Sequence, residues 1–185
     1  QKSRKCYNKI WVIVLFDNLI HGWKVEECMR IAIIDADLIG RRKHRFPNLA
    51  SEKIAGYWIE RGEEVELKLD YENLDTYDHV YISKVFTDTP VPEWLHETDK
   101  IHLGGTGFFF DKAPSLPEEI EHHMPYYQLY DTWIAGEIRK AEEIAKSNEE
   151  EFDKKKYMKQ FKGYTDYSIG FMTRGCFRKC EFCVN

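Results

Sequence analysis

A short apolar run near the amino-terminal end places the strongest constraint on how this chain can fold. Residues 31–34 are all apolar, and the charged residues Arg30 and Asp35 bound them. An apolar run of this length between polar residues is typical of a strand inside a sheet. The sequence therefore predicts a buried strand over residues 30–35.

The residues that follow alternate between helix and strand patterns. Residues 47–62 have the spacing of a helix that begins after a proline and ends at a glycine. Alternating apolar and charged residues predict a second strand over 64–69, and short apolar runs predict strands over 80–82 and 100–103. This order is typical of an α/β fold, and we expect a doubly wound parallel sheet of flavodoxin-like or Rossmann-like type in residues 29–130.

The connections after the third strand carry weaker patterns. The next segment contains Pro90 and Pro92 and predicts only a helical turn over 93–97. Residues 108–130 combine three prolines with many aromatic residues, which predicts an irregular but ordered arm. An apolar stripe with helical spacing and a charged stretch follow, so we expect residues 131–163 to form a helical linker.

Charge and hydropathy exclude several classes of protein. The chain has 185 residues, with 27 Lys and Arg against 32 Asp and Glu, for a net charge of −5. Nucleic acid is therefore not expected as the main partner, because phosphate binding needs a basic surface. The apolar run over 10–16 is shorter than the roughly 20 residues that span a bilayer, and no signal-peptide cleavage site follows it. We expect a cytoplasmic protein without a membrane partner.

The two ends of the sequence suggest a leader before the true start of the protein and a truncation at the other end. The segment Glu26-Glu27-Cys28 could be encoded by a purine-rich bacterial ribosome-binding site just before a start codon at Met29. We therefore expect residues 1–28 to be a leader or a disordered tail; the alternative is a genuine N-terminal strand. The other end stops shortly after a cysteine cluster, which suggests a truncated protein.

Three of the five cysteines lie in the last ten residues, as Cys176, Cys180 and Cys183 in a C-x3-C-x2-C array. Thiolates this close can converge on one soft metal centre. In a cubic iron–sulfur cluster, three cysteines leave one iron without a protein ligand. Structural zinc usually needs four ligands, and no histidine or fourth cysteine lies nearby. A zinc-stabilised interaction domain stays open as an alternative.

The segment over 172–183 closely resembles the signature of radical S-adenosylmethionine (radical SAM) enzymes. The resemblance implies that the three cysteines hold a [4Fe-4S] cluster in the loop after the first strand of a barrel, here residues 167–171. It also implies that the open iron chelates S-adenosylmethionine, with Phe182 near the adenine. Reductive cleavage would then give a 5′-deoxyadenosyl radical that abstracts hydrogen from a substrate. Residues 164–185 would be the start of a truncated barrel.

The same resemblance implies that the longer parent protein is an enzyme. It also implies that this fragment is inactive alone. Its partners would be a small-molecule or other unknown substrate and an electron donor such as flavodoxin or ferredoxin. No catalytic side chain is assigned in the part of the sequence that is present. The alternative is a binding module without catalysis, in which the α/β domain holds cobalamin or another small ligand.

Polar residues and glycines follow the predicted strands, at the edge where such sheets bind ligands. They are Asp35, Asp37, Ser83, Gly104 and Gly105. Their pattern is similar to the D-x-H-x-x-G, S-x-L and G-G motifs of the cobalamin-binding domain that precedes the barrel in one branch of radical enzymes. Aspartate replaces the histidine that is the usual lower cobalt ligand, and valine replaces the leucine. The resemblance implies a cobalamin-binding-like fold and makes cobalamin a candidate cofactor; turn chemistry is the other interpretation of these residues.

Overall fold

The computed structural model describes residues 28–41, 46–110 and 113–170. The strands are β1 (Arg30–Asp35), β2 (Glu64–Lys68), β3 (His79–Ser83) and β4 (Ile101–Gly104). The helices are α1 (Ala36–Gly40), α2 (Leu49–Glu60), α3 (Glu118–Glu121), α4 (Asp131–Ser147), α5 (Lys154–Met158) and α6 (Lys162–Thr165). Short 3-10 turns cover Leu74–Thr76, Tyr127–Tyr130 and Lys159–Phe161.

The four strands form one parallel sheet in the order β2-β1-β3-β4. In the register, Ile31 of β1 faces Val65 of β2 on one side and His79 of β3 on the other. Val80 of β3 faces Ile101 of β4. The predicted α/β character is therefore confirmed, and each predicted strand lies within one residue of the observed one.

Side chains of β1 alternate between two hydrophobic cores on opposite faces of the sheet. Ile33 lies in the first core, which α2 and α4 cover, for example through Ile54 and Ile138. Ala32 and Ile34 lie in the second core. In the described part of the chain, loops and one 3-10 turn cover that second face, apart from α1 at its edge. The connections between strands therefore run over both faces, but the long helices occupy only one.

Helix α2 begins and ends where local chemistry dictates. The Asn48 side-chain oxygen accepts a hydrogen bond from the backbone N–H of Ser51 at 3.2 Å, which satisfies one of the free donors of the first turn. Gly62, at a φ of +81°, follows the last turn in the left-handed region that favours glycine. The predicted helix over 47–62 is confirmed, with these two residues as its flanks.

Three predicted segments differ from the observed ones. Residues 93–97 contain a turn, closed by a 3.1 Å bond from the Leu95 N–H to the Pro92 carbonyl, and no helix. The arm over 108–130 contains α3 and a 3-10 turn in addition to irregular backbone. The helical segment predicted over 131–163 is interrupted after Ser147, and Glu149 has a left-handed φ of +56°.

The segment predicted as a linker over 131–163 contributes to the first core. Ile134, Ile138 and Phe161 are buried there beside Ile33 of the sheet. The domain boundaries stay predictions, but the residues on both sides of position 130 share one core.

The segments predicted to be an N-terminal leader and the cluster loop of a barrel lie almost wholly outside the described residues. The predicted leader, residues 1–28, is described only at Cys28. Residues 167–170 of the predicted first barrel strand are irregular backbone, and its last residue, Phe171, is not described. Within the described ranges, the helices lack the length and apolarity that crossing a membrane requires.

Two isoleucines of α4 test whether this helix is part of the core. Ile138 is 8% exposed and Ile144 is 60% exposed. We expect Ile138→Ala to lower the free energy of unfolding by about 2–5 kcal/mol, since it leaves a cavity. The matched Ile144→Ala should change it by at most about 0.5 kcal/mol. Urea denaturation measures both, and equal losses would contradict the packing of α4 on the sheet.

Candidate functional site

The sheet order creates a switch point between β1 and β3. The chain moves from β1 to β2 on one side of β1, and then returns past β1 to β3 on the other. In open parallel sheets, ligands bind outside the carboxyl ends of the strands at such a point. Asp35 and Ser83 end these two strands and are register partners. The structure therefore brings the sequence-predicted residues to the expected edge.

The Asp35 carboxylate is completely buried, and both of its oxygens accept hydrogen bonds within the chain. Its Oδ1 accepts from the backbone N–H groups of Asp37 and Leu38, each at 3.1 Å, and so caps α1. Its Oδ2 accepts from the hydroxyl of Tyr130 at 2.9 Å. Asp35 thus joins the end of β1 to the residue that precedes α4.

Tyr130 and Asn48 extend this contact to β3. The Tyr130 oxygen accepts a hydrogen bond from the backbone N–H of Asn48 at 2.9 Å, and the Asn48 side-chain amide donates to Ser83 Oγ at 2.7 Å. Burial, together with the charge of Asp35, raises the pKa of the Tyr130 hydroxyl well above its usual value, so it stays a donor. We call Asp35, Tyr130, Asn48 and Ser83 the edge network.

Asp37 makes a second set of contacts beside the edge network. It is 1% exposed, and its Oδ2 accepts from the backbone N–H of Val85 at 2.6 Å. Its Oδ1 accepts from the hydroxyl of Thr89. Both partners belong to the connection between β3 and β4, whose residues 84–90 we call the 84–90 loop. Asp37 therefore holds this loop against α1.

Glycines allow the same loop to approach closely. A Cβ atom on Gly40 would lie 2.8 Å from Thr89 Cγ2, and one on Gly105 would lie 2.3 Å from the Lys84 carbonyl oxygen. Gly105 also has a φ of +94°, which favours glycine. A Cβ atom on Gly104, in contrast, would meet nothing within 4 Å. Of the two predicted glycines, Gly105 is required by packing within the chain.

These contacts decide how the predicted residues fit a cobalamin. Asp37 stands where the resemblance has the histidine that ligates cobalt, but its two oxygens are buried and hydrogen-bonded to the 84–90 loop. Asp35 and Ser83 are engaged in the edge network. The side chains lie at the expected edge of the sheet, but their oxygens are engaged in hydrogen bonds within the chain. They therefore do not fit the role of a ligand to the cobalt of cobalamin.

Sequence reasoning missed two members of the edge network and Glu52. In the sequence, Asn48 carries only the local signal of a helix start, and Tyr130 lies 95 residues from its partner Asp35. A tyrosine in an aromatic-rich arm carries no local signal of such a contact. The sequence does not predict the burial of Glu52, because charged residues on a helix are usually exposed.

Glu52 is a buried carboxyl group on α2, at 1% exposure. Its Oε2 has no hydrogen-bond partner among the described residues. Burial raises the pKa of this carboxyl from 4.5 to about 7, because the charged form is poorly solvated inside the protein. The group is therefore largely protonated in mildly acidic solution and ionised in mildly basic solution.

The proposed ligands of an iron–sulfur cluster lie outside the described residues. They are Cys176, Cys180 and Cys183, and Phe182 lies there too. Within ranges 28–41, 46–110 and 113–170, the structure brings together no group of three or more His, Cys, Asp or Glu that could hold a metal ion.

Comparisons with models of protein families, with curated proteins and with solved structures found no match to this chain.

Removal of one hydroxyl tests the edge network. Tyr130→Phe removes the donor to Asp35 and the acceptor of the Asn48 N–H, and leaves both groups buried without that partner. We expect a loss of about 1–3 kcal/mol in the free energy of unfolding. Tyr167→Phe, at a residue that is 61% exposed, serves as the control and should be near neutral. Equal stability of the two variants in urea would contradict the network.

The buried carboxyl of Glu52 predicts a stability that depends on pH. Its folded-state pKa, about 7, lies above the ordinary 4.5, so its stabilising contribution is complete below pH 4.5 and is lost as pH rises towards 7. Relative to the wild type, Glu52→Gln should gain stability with pH over that window, by up to about 1.4 kcal/mol per pH unit. Glu150→Gln at an exposed position should show no such trend. A parallel pH profile for wild type and Glu52→Gln would refute the assignment.

Proposed function

We propose that this chain is the N-terminal part of a radical SAM enzyme. In this proposal Cys176, Cys180 and Cys183 hold a [4Fe-4S] cluster, and the enzyme reductively cleaves S-adenosylmethionine to start radical chemistry. The observation that carries the proposal is the C-x3-C-x2-C array within the segment over 172–183, with an Arg-Gly pair before the first cysteine and Phe182 before the last.

The chemistry of the donor set supports this cofactor. Three thiolates satisfy three irons of a cubic cluster and leave the fourth open for a small molecule, whereas structural zinc usually needs a fourth ligand. The basic neighbours Arg174, Arg178 and Lys179 favour the thiolate forms that metal binding requires. When bound, the cluster supplies the electron that cleaves S-adenosylmethionine. We propose that Phe182 lies against the adenine.

The α/β domain supports the proposal only through its fold. Its strand order, β2-β1-β3-β4, is the one found at the start of flavodoxin-like sheets. We propose that this domain precedes a barrel that carries the cysteine array, although residues 167–170, predicted as the start of its first strand, are irregular backbone in the structure. An enzyme of this class acts in the cytoplasm with an external one-electron donor of the flavodoxin or ferredoxin type, and its substrate is recognised by parts of the barrel that follow the cluster loop.

Anaerobic reconstitution with iron and sulfide tests the cluster. We expect a brown protein with about four irons and four sulfides per chain. Replacing any one of Cys176, Cys180 and Cys183 by Ser should remove most of the bound iron and the visible absorbance. Cys6→Ser, outside the motif, should leave both unchanged. A colourless protein that binds one zinc per chain would overturn the proposal.

Electron paramagnetic resonance tests the open iron. The measurement uses this chain and a version that continues past Asn185, because the resemblance places further contacts to S-adenosylmethionine in later parts of the barrel. Adding S-adenosylmethionine to the reduced, longer protein should change the spectrum of the cluster. A spectrum that stays unchanged at saturating S-adenosylmethionine would show that the open iron does not chelate it.

A further inference from the structure

The carboxyl edge of the sheet is closed by the chain itself. The resemblance to cobalamin-binding domains requires groups at this edge that are free to meet a large ligand. In the structure, each polar side chain that the resemblance assigns there already makes a hydrogen bond within the chain. The Asp35 carboxylate binds Tyr130 and caps α1, and the Ser83 hydroxyl accepts from Asn48.

Asp37 is the decisive position. A histidine at this point can present a nitrogen to a metal above the sheet. The aspartate instead turns both oxygens to the 84–90 loop, where the Val85 N–H and the Thr89 hydroxyl donate to them. To reach a cobalt ion, the carboxylate would have to leave these two donors, and the Val85 N–H would then lose its acceptor. Breaking a partly buried hydrogen bond to a carboxylate is unfavourable.

The glycines and α1 support the same conclusion. The space beside Gly105 is filled by the carbonyl of Lys84, and the space beside Gly107 by the Lys84 side chain and the Phe86 carbonyl. Gly40 receives Thr89 and Pro90 of the same loop. The 84–90 loop therefore makes the close approaches at Gly40, Gly105 and Gly107, in the region where the resemblance would place a ligand, whereas the space beside Gly104 is open.

One groove among the described residues lies away from this edge. It has a volume of about 430 Å³ and is lined by Tyr71, Leu74, Trp94 and Ile101, among others. Ile101 opens β4, so the groove lies beside the amino end of that strand. None of the five residues in the cobalamin pattern lines it.

We infer that the α/β domain does not bind cobalamin, and that Asp37 is a positioning residue that fastens the 84–90 loop over the edge. This inference is independent of the iron–sulfur proposal, since it concerns residues 35–107 alone. If it holds, the domain retains the sheet order of a ligand-binding fold but uses the ligand edge to stabilise itself.

A cobalamin titration tests the first half of the inference. The probes are hydroxocobalamin and reduced cob(II)alamin, added to the full chain with Cys176, Cys180 and Cys183 replaced by Ser. These substitutions remove the cluster and three thiols that could ligate cobalt unspecifically. We expect no change in the visible spectrum and no retention in equilibrium dialysis at high micromolar ligand. A saturable spectral shift, or one cobalamin retained per chain, would overturn the inference whatever the cluster experiments give.

Amide hydrogen exchange tests whether Asp37 fastens the 84–90 loop. The first measurement uses the wild-type chain, so it does not depend on a variant that could fail to fold. The Val85 N–H should exchange about as slowly as amides inside β3, because its acceptor is a buried carboxylate. Exchange as fast as that of exposed loop amides would contradict the role of Asp37. Asp37→Ala removes both acceptor oxygens, so exchange at Val85 should accelerate at least about tenfold. Asp75→Ala, at an exposed site, should leave it unchanged.

Discussion

The buried carboxylate of Asp35 is the interaction on which the rest of this structure depends. A carboxylate without solvent is strongly unfavourable unless hydrogen bonds replace its water. Here α1 supplies two backbone donors and Tyr130 supplies a hydroxyl. Satisfying this one group therefore fixes where the chain turns after β1 and where the residue before α4 must lie. Tyr130 also lies in the first core, together with Ile33 of β1 and Ile134 of α4.

The same arrangement bears on the second face of the sheet, where the described residues form no long helix. The second core is small and contains short side chains such as Ala32 and Ala36 beside Ile34 and Val80. Leu74 and Tyr77, from the connection before β3, cover much of it. The loops there are held by polar contacts at the edge, of which those of Asp37 with Val85 and Thr89 are the clearest. Hydrogen bonds to buried carboxylates thus help to hold the loops on the second face, whereas helix packing covers the first face.

The sequence predicts the strands well but does not predict the contacts at the carboxyl edge of the sheet, because the two depend on interactions of different range. Apolar runs bounded by polar residues specify strands locally, and Asn48 and Gly62 specify the ends of α2 through backbone chemistry that acts over a few residues. The contact between Asp35 and Tyr130 has no such local origin, because it depends on how the whole arm over 108–130 returns to the sheet. The sequence also does not predict the break after Ser147, because it includes a left-handed backbone at Glu149, and glutamate rarely adopts that conformation.

The two resemblances in this chain differ in what they can establish. The iron–sulfur proposal for Cys176, Cys180 and Cys183 depends only on residue types and spacing within eight positions. The aspartates, serine and glycines of the α/β edge act only through their three-dimensional neighbours. A buried carboxylate after a strand can meet a bound cofactor or a loop of its own chain, and both uses preserve the same residues. In this fold the neighbours of Asp37 are the Val85 N–H and the Thr89 hydroxyl, and it is these neighbours that favour a structural role.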